Sequence, residues 1–150
     1  MREVTIERLG AGGDGVADNG TLFVPFTLPG ERARVELEPD GKHARLVELI
    51  EPSKDRIEPI CPHFGICGGC ALQHLEQGAY LRWKREQVIA ALRARGLDAE
   101  VEEVRVVPVG SRRRASFALA RNKEGLALGF KRVRSHELVN IEACPVLSPK

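Results

Sequence analysis

TLFVPFTLPGERARVELEPDGKHARLVELI, residues 21–50, decides the architecture of the first third of the chain. Ala33, Val35 and Leu37 alternate with charged residues, the period of a strand with one face buried. Pro29-Gly30 and Asp40-Gly41 mark turns on either side, and KHARLVELI closes the set. Upstream, REVTIERL alternates in the same way, with Val4, Ile6 and Leu9 on one side, and Asp18-Asn19-Gly20 is a further turn. About five short strands joined by glycine-rich turns at regular spacing predict a mainly β, small, closed or nearly closed barrel of the oligonucleotide-binding type over residues 1–52.

Gly10, Gly12 and Gly15 match the spacing G-x-G-x-x-G. A dinucleotide loop must open a helix whose N-terminus meets the pyrophosphate. Here a turn and another strand follow, so the glycines read as a β-turn connection and no nucleotide site is placed there.

Outward from the barrel, EPSKDRIEPI at 51–60 carries two prolines and mixed charge and reads as a linker. The composition then changes. Residues 1–60 hold 8 Lys/Arg against 12 Asp/Glu, a net of −4, and residues 61–150 hold 15 against 9, a net of +6. A basic second part suggests an anionic partner. Residues 53–150 are therefore read as a separate α+β segment. A helix is predicted from about Glu76 to Arg95, with Leu81, Val88 and Leu92 on one face, Gly96 as its stop, and Tyr80 and Trp83 as packing anchors. VEEVRVVPV, 101–109, reads as strand or extended chain. SRRRASFALAR and GLALGFKR form an antiparallel ribbon about a turn at Asn122 to Gly125. Ala115, Phe117 and Leu119 share one face of its first strand, and Arg112, Arg114 and Ser116 the other. HELVNIEACPV is a last extended stretch.

The four cysteines are Cys61, Cys67, Cys70 and Cys144, three of them inside CPHFGICGGC at 61–70. Four thiolates bind zinc or an iron–sulfur cluster. Zinc usually takes two paired C-x2-C knuckles, whereas one such pair with an outlying cysteine before it and a remote Cys-Pro after it suits a 4Fe–4S cluster better. Four free thiols are the plain alternative. Gly68 and Gly69 let the loop turn sharply. His63 and His74 read as surface or capping histidines, since four thiolates complete a site.

From Arg112 to Arg134 stand eight Lys/Arg and one Glu. Arg112, Arg113, Arg114, Arg121, Lys131, Arg132 and Arg134 are the candidate RNA contacts, because guanidinium forks pair with phosphate oxygens. Phe117 and Phe130 are the only aromatics in the ribbon, so phosphate contact is expected ahead of base stacking. The N-terminus is charged and lacks an apolar stretch, and no run approaches membrane-spanning length. The chain is expected to be cytoplasmic, monomeric and not in a membrane, and in that reducing compartment disulfides are a poor use for clustered cysteines.

These features resemble a known family, the uracil-5 RNA methyltransferases of the ribosomal-RNA type. TLFVPFTLPGERARVEL resembles its TRAM domain, an RNA-binding barrel. CPHFGICGGCALQHL resembles its iron–sulfur motif, YLRWKREQVIAAL the helix after it, and SRRRASFALAR…LGFKRVRSHELVNIEACPVL the next segment with a fourth cluster cysteine. The resemblance implies that Cys61, Cys67, Cys70 and Cys144 ligate a 4Fe–4S cluster. It also implies an RNA partner, ribosomal RNA ahead of transfer RNA, and methyl transfer from S-adenosylmethionine to carbon 5 of uracil. That chemistry needs a cysteine nucleophile and a base. All four cysteines are assigned to the cluster, Cys144-Pro145 included, and no strand–glycine loop–helix unit offers a donor site. No catalytic residue is placed in the chain, and S-adenosylmethionine is assigned to a further C-terminal domain. The 150 residues are expected to be the N-terminal portion of such an enzyme, inactive alone. The competing readings are a free-standing RNA-binding module with a structural metal site and, last, a ferredoxin-like electron carrier.

Overall fold

Alternation along residues 2–51 resolves into six strands rather than five, in a computed structural model that describes residues 1–122 and 125–149. They are β1 (Arg2–Thr5), β2 (Arg8–Leu9), β3 (Gly15–Ala17), β4 (Leu22–Val24), β5 (Arg32–Leu37) and β6 (Ala44–Glu51). Two antiparallel sheets form, ordered β1-β5-β6 and β2-β3-β4. REVTIERL is split between them. After β1 pairs with β5, Ile6 N donates to Glu31 O and Glu7 N donates to Val16 O, so the chain changes partner in mid-run. Pro25 ends β4 early, since it has no N–H to give a ladder. One core serves both sheets. Val4, Ile6, Ala17, Leu22, Val24, Ala33, Val35 and Ala44 are buried in it, with Leu46 and Leu49 packed against them.

The outer face of β1-β5-β6 is a ladder of opposite charges. Glu3 faces Arg34, Arg34 faces Glu48, Arg32 faces Glu51 and Glu36 faces Arg45 in register, and all four pairs are in contact. Exposed pairs of this kind stabilise little. Their consequence is a face with no surplus of positive charge.

GAGGDG is the β2–β3 connection. Gly10 N donates to Asp14 O and Gly13 N to Gly10 O, and no helix opens after it. Gly15 is required by packing, because a Cβ there would overlap the Thr27 side chain.

The chain divides into two compact units, Met1–Ile57 with His74–Arg105, and Glu58–Gln73 with Val106–Lys150. This is not a cut at residue 52. The strands hold on to the linker through a buried charge. The fully buried Glu31 carboxylate accepts from Leu28 N (2.8 Å), Ser53 N (3.1 Å), and Arg56 Nε (2.6 Å) and Nη2 (2.8 Å). Arg56 Nη2 also donates to Phe26 O, and Ile57 N donates to His74 O. Phe26, at φ 63°, sits edge-on to His74. His74 is fully buried, and burial first, then the Arg56 charge, lowers its pKa to about 4.

The helix α1 spans Gln77–Arg93. Glu76 caps it, accepting from Gly78 N and Ala79 N, and Leu97 N closes onto Leu92 O beside Gly96 at φ 71°. That is the glycine-terminated helix end expected. Its apolar face is not sealed: no helix residue is fully buried and Val88 is 50% exposed. Tyr80 and Trp83 pack together with Lys84 over both rings. Among the described residues no helix is long and apolar enough to cross a membrane.

In the second unit, β7 (Ala118–Asn122), β8 (Gly125–Lys131) and β9 (Leu138–Asn140) make one antiparallel sheet. The ribbon is shorter than predicted, starting at Ala118, and residues 101–109 form no strand. Lys123 and Glu124 of the expected turn lie outside the described residues. Leu119 pairs with Leu128 and Arg121 with Leu126 on one face, where the three leucines are 66%, 49% and 64% exposed in that order of naming. Ala127, on the other face, is buried. A Cβ at Gly129 would overlap Val139 O and Ile141 of the neighbouring segment, so glycine is required there.

A candidate metal centre and the basic ribbon

Backbone turns bring three cysteines of the 61–70 loop to one wall. Phe64 N donates to Cys61 O, while Ile66 N and Cys67 N both donate to His63 O. Gln73 spans the loop, its Oε1 accepting from Cys61 N at 3.1 Å. The opposite wall is the Cys144-Pro145 turn, closed by Leu147 N donating to Cys144 O. Arg112 holds it from both sides: its N donates to Val146 O and its O accepts from Ser148 N. His63 joins the two walls, with Nε2 accepting from Glu142 N at 3.2 Å across 79 residues of sequence.

Cys61, Cys67, Cys70 and Cys144 all line the resulting pocket, which is partly open to solvent, together with Phe64, Phe130, Ile141 and Val146. All four are free thiols and half-buried. Burial pushes the Cys70 thiol up, a hydrogen bond with Gln73 pulls it down, and Cys144, Cys61 and Cys67 push it up again. Cys70 thus sits close to the other three sulfurs, and a bound cation would favour its thiolate.

The donor set fits a thiolate-ligated cofactor. Gly69 N points at Cys67 Sγ (3.4 Å), the kind of N–H···S contact that tunes iron–sulfur centres. Among the described residues the only three His, Cys, Asp or Glu donors within 4.8 Å of one another are Glu38, Asp40 and His43, not the cysteines. Of that trio Asp40 is exposed and Glu38 and His43 are half-buried, and Asp40 is already committed to its own turn. Asp40 accepts from Lys42 N, His43 N and the His43 ring, the ring first among the bonds that lower its pKa to about 2.

No family model matches the chain. Individual proteins do. It is 47% identical over 150 residues to an RNA methyltransferase of Brucella suis, covering 99% of this chain and 36% of that one. It is 41% identical over 155 residues to the 23S rRNA (uracil(1939)-C(5))-methyltransferase RlmD of Edwardsiella ictaluri, covering 97% and 35%. Among solved structures it is similar to the Pyrococcus abyssi tRNA (uracil-54, C5)-methyltransferase in complex with S-adenosyl-L-homocysteine, at TM-score 0.57 and 29% identity, covering 98% of this chain and 33% of that one. The chain corresponds to the N-terminal portion of the RNA uracil-5 methyltransferase family. It spans about a third of the length of the relatives it matches.

Within this methyltransferase portion the predicted basic residues fall into separate groups. Arg112 lines the cysteine pocket, and Arg112 to Arg114, with Ala115 and Ser116, border an open groove. Lys131, Arg132 and Arg134 lie at the foot of β8. Arg121 is near the hairpin tip opposite Leu126, five residues or about 17 Å along the strand from Lys131. The structure thus does not gather all seven on one face. Three residues of the site went unremarked as functional in the sequence: His63 as the clasp, Gln73 as the loop's spanning side chain, and Gly68 as the point where the loop meets β8. Only the glycine doublet carried a signal, and it was read as a turn alone.

Proposed function

We propose that the chain is the RNA-binding, iron–sulfur-containing N-terminal part of an S-adenosylmethionine-dependent RNA uracil-5 methyltransferase acting on 23S ribosomal RNA in the cytoplasm. The observation that carries this reading is the convergence of Cys61, Cys67 and Cys70 with the remote Cys144 on one pocket. Relatives named as 23S rRNA methyltransferases support the substrate class. The four thiolates would hold a 4Fe–4S cluster, which supplies a rigid cross-link and a redox-active centre when bound. The chain's own residues then divide the work. His63 and Gln73 hold the two walls in position. Arg112 to Arg114, Arg121, Lys131, Arg132 and Arg134 meet RNA phosphates, and residues 1–52 act as a TRAM-type barrel. The charge ladder on β1-β5-β6 leaves that face without surplus positive charge, so phosphate contact falls to the ribbon. Methyl transfer needs a donor site and a nucleophile outside these residues, and the chain alone is expected to transfer none.

The test is iron, acid-labile sulfide and zinc content after anaerobic purification, with a visible spectrum. Iron and sulfide in equal amounts near four per chain are expected. One zinc per colourless chain would replace this reading with a zinc-stapled RNA-binding module.

A further inference from the structure

The cysteine loop is stitched to the basic turn after β8 by backbone alone. Gly68 N donates to Lys131 O at 2.9 Å, Val133 N donates to Ile66 O at 3.1 Å, and Cys67 pairs with Arg132 as an isolated antiparallel bridge. The turn is closed by Arg132 N on Glu137 O and Ser135 N on Arg132 O, with Arg134 in the left-handed region at φ 52°. Gly68 is required at this joint. A Cβ there would stand 2.9 Å from Lys131 O and 3.5 Å from Arg132 C, backbone atoms that cannot swing aside.

Gly68, Gly69, Phe130, Lys131, Arg132 and Arg134 border one open groove. Three cations thus stand around a floor of glycine backbone. Arg132 pairs with Glu137 at 3.0 Å, but both are exposed, and exposed pairs exchange readily for a bidentate phosphate.

We propose that this groove is a phosphate-binding subsite for RNA and that its grip depends on the Cys67 and Cys70 thiolates being held by their cofactor. The inference rests on the RNA-binding reading above and adds to it the subsite and its condition. The two hydrogen bonds of this joint do not by themselves outweigh the entropy of ordering a glycine-rich loop and a left-handed turn. Anchoring Cys67 and Cys70 removes that entropy beforehand, so the loop becomes a fixed edge on which residues 131–134 are held in place for phosphate.

The experiment measures binding of a uridine-rich stem–loop RNA by fluorescence anisotropy over a salt series. The chain is assayed iron-loaded, stripped by chelation, and as Gly68→Val. Amide exchange at Gly68 and Val133 is followed in parallel. Stripping the wild type is expected to weaken binding about tenfold and to reduce the slope of log K against log salt by about 2, as for three lost single-strand phosphate contacts. Gly68→Val should show the same loss while keeping its iron, and stripping it should cost nothing more. Both amides should exchange faster without iron. Equal exchange with and without iron, or equal affinity and slope in all three samples, overturns the inference. If Gly68→Val fails to keep iron, the loaded Arg132→Ala/Arg134→Ala double variant reads the same subsite, and an unchanged salt slope there overturns it. A loaded wild type that binds no RNA, with exchange still iron-dependent, sinks the RNA reading and leaves the joint standing.

Discussion

Glu31 and Arg56 show how much one buried pair can settle. Burial pushes the Glu31 carboxyl up, but hydrogen bonds from Arg56, Leu28 N and Ser53 N outweigh it and hold it below its ordinary value. Removing the cation strands a fully buried carboxylate, so Arg56→Met is expected to cost about 3–5 kcal/mol in urea unfolding. A change under about 1 kcal/mol would mean that Glu31 finds water instead. His74 beside them sets a pH dependence. Its folded pKa of about 4 lies below the ordinary 6.5, so between those values the unfolded chain holds a proton that the folded chain does not. Stability therefore falls as pH drops from 6.5 towards 4, by up to about 3 kcal/mol. Glu31, also depressed, adds loss in the same direction below its ordinary value. His74→Phe should flatten the slope above pH 4.5 in melts at stepped pH, and an unchanged slope would exonerate the histidine. None of this was legible in the sequence. His74 read as a surface or capping residue, because nothing in ALQHLEQG announces a wholly buried ring.

At the scale of the element, the ribbon is the informative case. Alternation put Ala115, Phe117 and Leu119 on one face of the first strand without saying which face is covered. The structure leaves Phe117 and Leu119 exposed and buries Ala127 on the other face of the sheet. Phe117 and Phe130 still meet, at 4.9 Å between ring centroids, but on the open face. Leu128→Ser is accordingly expected to leave thermal stability within about 0.5 kcal/mol, as surface changes do. Ala127→Leu should cost about 1–3 kcal/mol by overpacking. The opposite ranking in thermal melts would mean that the leucine face is the covered one. The helix behaves similarly. Its ends follow local rules, Glu76 at the start and Gly96 at the stop, and both were readable. Its half-covered apolar face was not, because periodicity says which residues share a side and not what covers it.

For the whole molecule, the partition into units carries a prediction. Trp83 is the only tryptophan and belongs to the strand-and-helix unit, whereas all four cysteines belong to the other. Where a metal site ties a segment together, its binding energy becomes folding energy for that segment. Chelation is expected to lower the melting of the cysteine–ribbon unit by circular dichroism and to leave the Trp83 fluorescence transition in place. A matching shift of both signals would mean that the units unfold as one.

The sequence by itself determined the local and the chemical. The period of two along 32–37, the turns at Asp18-Asn19-Gly20 and Asp40-Gly41, the helix ends and the cysteine spacing are properties of neighbours in the chain. Turn chemistry, capping and ligand type act at that range. Tertiary structure alone decided the sheet change at Ile6, the burial of His74 beside Arg56 and which face of the ribbon is covered. It alone also brought Cys144 to the loop through His63 and Arg112. Each of these rests on contacts between residues far apart in the chain, where the outcome turns on close packing and on which polar groups find partners, and no pattern of adjacent residues records either.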